Sequence, residues 1–151
     1  MISTRYLEPH PPKTQRAKSM TKLDSQLFWL AVNAYMEAQG ESWDGQKAVC
    51  HVVLNRATNQ RKSIKDIVLA PFQFSWANNG ARPPIKNYEA FATCLEAAQE
   101  AIKERSAGYS LLGGDHYYAY QGLNAIPEPY WVKKGQMREV ARIGNHIFFR
   151  S

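Results

Sequence analysis

Tyr35-Met-Glu-Ala-Gln-Gly-Glu-Ser-Trp-Asp-Gly-Gln-Lys-Ala-Val-Cys-His-Val-Val-Leu-Asn-Arg56 is the stretch whose reading decides the fold. It reads as the end of one helix, a tight turn bearing a glycine, and the start of a second helix. Upstream, Leu23, Leu27, Leu30, Ala31, Ala34 and Ala38 recur at helical spacing, which predicts an amphipathic helix running to about Gln39. Gly40 is the expected breaker at its C-terminal end. Downstream, Ala48, Val49, Val52 and Val53 mark the buried face of the next helix, with Ser42 or Asp44 as its N-cap.

Two carboxylates, Glu37 and Glu41, fall at this junction. Glu37 lies in the last turn of its helix, where the macrodipole presents partial negative charge. A second carboxylate nearby and apolar surroundings act in the same direction, so all three raise its pKa. A general acid working near neutral pH needs such a shift. Perturbed carboxylates also occur in structural networks, so periodicity alone leaves an idle Glu37 equally open.

The motifs Glu37-Ala-Gln-Gly-Glu41, Gly45-Gln-x-Ala-Val-x-x-Val-x-Leu-Asn-Arg56 and Phe74-Ser-Trp76 resemble those of the SleB-type cell wall hydrolases. Gly113-Gly-Asp-His-Tyr-Tyr118, Pro129-Tyr-Trp131 and Ile143-Gly-Asn-His-x-Phe-Phe149 follow in the same order, so the resemblance runs from about Leu23 to Arg150. Gly114 and Tyr118 depart from the usual pattern. The resemblance implies a mainly α (α+β) single domain, lysozyme-like or lytic transglycosylase-like, with minor extended or β segments. It also implies an enzyme that cleaves the glycan strands of peptidoglycan.

The chain has 151 residues, 44% of them apolar, which suits one domain with its own core and contains no run long enough to span a bilayer. Of the net charge of +6, most sits in the first 22 residues, where Arg5, Lys13, Arg16, Lys18 and Lys22 stand against Glu8 alone. Residues 1–21 therefore read as a flexible basic arm rich in proline, and residues 22–151 as the catalytic domain. Such an arm favours electrostatic contact with an anionic envelope. Nucleic acid is not expected as a partner, because the excess charge is not interleaved with aromatics on one face. A monomer is expected. Cys50 and Cys94 fall on helices with apolar faces and read as buried free thiols, with a disulfide between them left open by the sequence. His10, His51, His116 and His146 show no metal-ligand spacing, so neither metal nor cofactor is expected. The N-terminus lacks a secretory pattern, which suggests a phage endolysin made in the host cytoplasm and acting at the wall after release.

Thr21-x-x-Asp24 reads as a capping box opening the first helix, and the second runs from about Gly45 to Thr58. Asn59 to Lys62 read as a polar turn. Ser63-x-x-Asp66 opens a short third helix, and a long loop follows over 71–87. A fourth helix runs from Tyr88 to about Ala107, with Ala90, Phe91, Cys94, Leu95, Ala98 and Ile102 inward and Gly108 as its stop. Glu89, Glu96, Glu100 and Glu104 form an acidic stripe on it, read as a solvated face. Beyond Gly113 the chain turns aromatic, with extended segments over 115–120 and 146–149.

A glycosidase needs an acid for the glycosidic oxygen and a means of handling an oxocarbenium-like centre. Glu37 is the expected acid. Glu41, four residues on across a glycine, sits on the same side, so the pair reads as one acid plus an orienting group rather than two opposed carboxylates. The resemblance then implies a lytic transglycosylase that closes a 1,6-anhydro ring; a lysozyme-type hydrolase using both carboxylates, or a module that binds peptidoglycan without cutting it, are the alternatives. Sugar rings want aromatic faces with hydroxyl, amide or imidazole partners. With the motifs in hand, Ser75, Trp76, Tyr117, Tyr118, Trp131 and His146 are the expected substrate contacts, and Phe74 and Phe148 are core.

Overall fold

The protein, seen in a computed structural model, is described for residues 13–70, 85–109, 119–122, 135 and 137–150, with side chains described from Asp24 onward except at 119–122. The predicted junction is present. Helix α1 spans Lys13–Ala38, a turn follows at Gln39 and Gly40, and α2 spans Trp43–Gln60. Of the two candidate caps Ser42 does the work: its Oγ accepts from the Gly45 N–H at 3.2 Å. The end of α1 is closed by the Glu41 N–H, which donates to the Ala38 carbonyl at 3.0 Å. Gly40 lies in the turn but outside the left-handed region, so it ends the helix without the positive φ that usually selects glycine there.

Helix α3 spans Ile64–Leu69, capped by Ser63 as its spacing with Asp66 predicts, and α4 spans Tyr88–Ser106. Gly108, at φ +78°, stops α4. The start of α1 differs from expectation. The helix opens at Lys13 rather than Thr21, so residues 13–20, read as part of the arm, are helical. No glycine or proline occurs between Lys13 and Ala38, and a local capping signal does not stop a helix from extending upstream until Pro12 forbids it. Helix α2 also runs past Thr58 to Gln60 and ends on Arg61, held in the left-handed region at φ 54° and ψ 46°.

The helices enclose one cluster of buried side chains. Leu30, Ala31, Ala34 and Tyr35 of α1 meet Cys50, Val53 and Leu54 of α2, Ile67 and Val68 of α3, and Cys94, Ala98 and Ala101 of α4. Both thiols are buried and free. The Tyr35 hydroxyl reaches out of the cluster and accepts from the backbone N–H groups of Lys86 and Asn87, fixing the start of α4.

Three antiparallel strands complete the described residues: β1 (Ala119–Gly122), β2 (Arg138–Ile143) and β3 (His146–Arg150), in the spatial order β1-β3-β2. The aromatic segments account for β1 and β3, and β2 lies outside the expected extended segments. It pairs with β3 through a two-residue turn, Gly144-Asn145, with Ile143 opposite His146. Gly144 takes φ +56° and Asn145 does not, which is the sign pattern of a type II′ hairpin turn. Because β3 is central, His146, Ile147, Phe148 and Phe149 are all buried. Alternation along the strand sends Ile147 and Phe149 to one face with Met137. Phe148 goes to the other face, fully buried against Ala38, Ala48, Val49 and Val52. That burial contributes about 2–3 kcal/mol and docks the sheet on the α1–α2 junction.

Candidate active site

The junction places Glu37 one residue from the end of α1, partly buried. Removal from water pushes its carboxyl up to about 7, and the Arg56 guanidinium on α2 pulls the other way without cancelling it. Burial is thus the cause that matters. Among the described residues the charged group acting on Glu37 is Arg56, not Glu41. A carboxyl with this pKa holds its proton near neutrality and gives it up readily.

Glu41 has a different environment. Its Oε1 accepts the Asn145 N–H at 2.9 Å and lies 3.2 Å from His146 Nδ1. Gly144 packs so closely on the same carboxylate that a Cβ there would collide with Oε2. The carboxylate therefore grips the tip of the β2–β3 hairpin from two sides. The site also brings in His146, which strand alternation places beside Phe148, with ring centroids 6.2 Å apart. Burial lowers the His146 pKa, partly offset by Glu41 and by a hydrogen bond from the ring to the Glu37 backbone carbonyl. The imidazole is consequently in contact with both ends of the junction. Gln46 holds the same turn from α2, its Nε2 donating to the carbonyls of Ala38 and Glu41 at 3.4 Å each.

Ser75, Trp76, Tyr117, Tyr118 and Trp131 lie outside the described residues. Trp43 is present at the junction and 39% exposed, with Lys47 Nζ 6.0 Å from its ring centroid. A cavity of about 530 Å³ opens between α1, α4 and Trp43, lined also by Leu27, Gln99 and Ile102. Glu37, Glu41 and His146 do not line it, so this cavity is separate from the perturbed carboxyl.

One prediction about α4 is overturned. Glu104 does not share a solvated stripe with Glu96 and Glu100. Its Oε2 accepts from Lys47 Nζ at 3.0 Å and its Oε1 meets His51 Nε2 at 2.9 Å, with all three side chains largely buried. Lys47, His51 and Asn55 recur every fourth residue on α2, and α4 answers them with Glu104 and with Arg105, which donates to Asn55 Oδ1. Asn55 is thereby a structural group. The polar triplet at four-residue spacing within the buried stretch Gly45–Asn55 was the signal that could have revealed this pairing.

Residues 40–149 match the protein family described as Cell Wall Hydrolase. The match begins just after Glu37 and takes in Glu41 and His146. The chain is 28% identical over 127 residues to a spore cortex-lytic enzyme of Halalkalibacterium halodurans, covering 83% of this chain and 34% of that one. It is 27% identical over 146 residues to one of Bacillus cereus, covering 93% and 51%. The chain thus spans between a third and about half the length of these relatives. Among solved structures it matches the catalytic domain of the germination-specific lytic transglycosylase SleB from Bacillus anthracis, with a TM-score of 0.63 and 24% identity over 83% of this chain and 93% of that one. The Bacillus cereus SleB catalytic domain matches with a TM-score of 0.57 at the same identity, over 83% and 91%. The helical architecture with its small sheet is the fold of that catalytic domain.

Proposed function

Because the chain belongs to the cell wall hydrolase family, we propose that it cleaves the glycan strands of peptidoglycan with Glu37 as general acid and then base. The observation that carries this is the Glu37 carboxyl, held at about 7 by burial at the α1–α2 junction. In the first step Glu37 protonates the glycosidic oxygen as its bond to the anomeric carbon breaks, leaving an oxocarbenium-like centre. The Glu37 carboxylate then takes the proton of the same sugar's 6-hydroxyl, whose oxygen closes on the anomeric carbon. The product is a 1,6-anhydro end, no water is consumed, and Glu37 regains its proton.

Glu41 supports this route over hydrolysis. A second carboxylate that activates water must be free to face the bond, whereas Glu41 is taken up by Asn145, His146 and the close approach of Gly144. Its part in the proposal is to orient. Ser75, Trp76, Tyr117, Tyr118 and Trp131 are proposed as sugar contacts. The relatives are named for the spore cortex, while release as a phage endolysin is a further proposal, tested by whether co-expression with a holin lyses cells.

The central test is Glu37→Gln, which keeps the shape and removes the transferable proton. Cleavage of purified peptidoglycan should fall by roughly a hundredfold or more, as for a general acid. Mass spectrometry of wild-type products should show 1,6-anhydro ends. Reducing ends would replace the ring-closing step with hydrolysis, and a fully active Glu37→Gln enzyme would remove the acid itself.

A further inference from the structure

A helix leaves its last carbonyls without partners inside the helix, and here those carbonyls belong to the turn that carries the acid. The Ala38 carbonyl is met by the Glu41 N–H and by Gln46 Nε2. The Glu37 carbonyl is met by the His146 ring, a partner delivered from the other end of the chain by the central strand. The ring has little freedom of its own. Its Nδ1 lies 3.2 Å from Glu41 Oε1, its side chain is 10% exposed, and Phe148 flanks it on the same face. Glu41 in turn is anchored by the Asn145 N–H, and Gly144 closes over the same carboxylate.

We propose that His146 is a positioning residue for the acid: the line from the hairpin tip through Glu41 and the imidazole to the Glu37 carbonyl holds the last turn of α1, so that the Glu37 carboxyl keeps its sheltered place. This rests on the reading of Glu37 as the acid and assigns His146 to the enzyme's frame rather than to sugar contact. The geometry favours that role, because both ring contacts are with protein groups and the side chain is almost fully covered. Glu41 acts through His146 and not on the reacting atoms. The effect on chemistry is indirect. Loosening the turn lets water reach Glu37, lowers its pKa toward 4.5 and leaves less of it protonated at neutral pH.

The test is a set of pH–rate profiles on purified, solubilised glycan strands for wild type, His146→Ala, His146→Asn, His146→Gln, Glu41→Gln and Glu37→Gln. At pH 7 His146→Ala should lose about fivefold in kcat, the fall in protonated Glu37 that a one-unit shift gives, with KM changed by less than about twofold. Its alkaline limb should move from near 7 toward acid by about one unit, so that much of the deficit disappears at pH 5. One of the two amide variants should restore both rate and limb, because an amide can donate to the Glu37 carbonyl. Glu41→Gln should move the limb in the same direction, and combining it with His146→Ala should cost little more than the worse single change. A raised KM with an unmoved limb would make His146 a sugar contact and overturn the proposal; so would additive losses. Should His146→Ala fail to fold by circular dichroism, Glu41→Gln decides, and a normal limb and kcat in it overturn the line of contacts. Glu37→Gln separates the two readings. If it is inactive while the His146 and Glu41 variants are normal, only the positioning role fails; if it is active, the acid fails as well.

Discussion

Glu37 shows why one carboxylate can be read from a sequence in kind but not in cause. Its place in the last turn of a helix was legible, and so was the upward direction of its pKa. The cause was only partly legible: Glu41, expected to repel it, is occupied by the hairpin, and burial alone outweighs Arg56. Contacts made by residues more than a hundred positions away have no local signature. The shift also makes a stability prediction. The folded state keeps the Glu37 proton between its ordinary 4.5 and about 7, where the unfolded chain has released it. Stability from this group is therefore complete below pH 4.5 and declines as pH rises toward 7. Relative to wild type, Glu37→Gln should gain up to about 3 kcal/mol between pH 4 and pH 8 in urea unfolding, from 1.36 kcal/mol per pKa unit. A difference that does not vary with pH would show that the carboxyl is not desolvated. Arg61 offers a second residue-scale check. It occupies the left-handed region at the end of α2, where a side chain is strained, so Arg61→Gly should stabilise the protein by about 1 kcal/mol in the same measurement.

Among the elements, the four helices follow from apolar spacing and from the caps Ser42, Ser63 and Asn87. What escaped was set by partners rather than by local pattern. Strand β2 has an exposed, charged outer face, so little apolar alternation marks it; the Gly144-Asn145 pair before His146 was its available signal. Glu104 shares its helical stripe with Glu96 and Glu100, and only the approach of α2 distinguishes it. Burial pushes the Glu104 acid up, yet hydrogen bonds from His51 and Lys47 hold it below the usual carboxylate range. The His51 pKa is lowered by burial, against the pull of Glu104. Both shifts are downward, so both groups lose stability as pH falls, His51 below its ordinary 6.5 and Glu104 below 4.5. Glu104→Ala removes the carboxylate shared by a buried lysine and a buried histidine and should cost about 3 kcal/mol at pH 7 by thermal or urea unfolding. A cost under about 1 kcal/mol would show that the α2–α4 pairing is a surface contact.

For the whole molecule, the mainly helical single domain and its family were legible because several motifs lie in order along the chain, whereas the length of α1 was not. Since α1 opens at Lys13, the arm is best tested by removing residues 1–12 alone. We expect that deletion to leave cleavage of soluble glycan unchanged and to slow action on whole envelopes, most visibly at low salt, where screening is weak. Loss of activity on soluble strands would make the arm part of the site.

The spatial order β1-β3-β2 carries a consequence for how the protein is made. Of the three described strands, β3 comes last in the sequence and lies in the middle, so the pairings of β1 and β2 with it cannot form until His146–Arg150 has left the ribosome. The helices, whose contacts are nearer in sequence, are free to assemble before then. A nascent chain can thus present Glu37 at its helix end while still lacking the hairpin that grips Glu41. Translation arrested before residue 146 should yield a helical fragment that carries Glu37 without the hairpin contacts of Glu41.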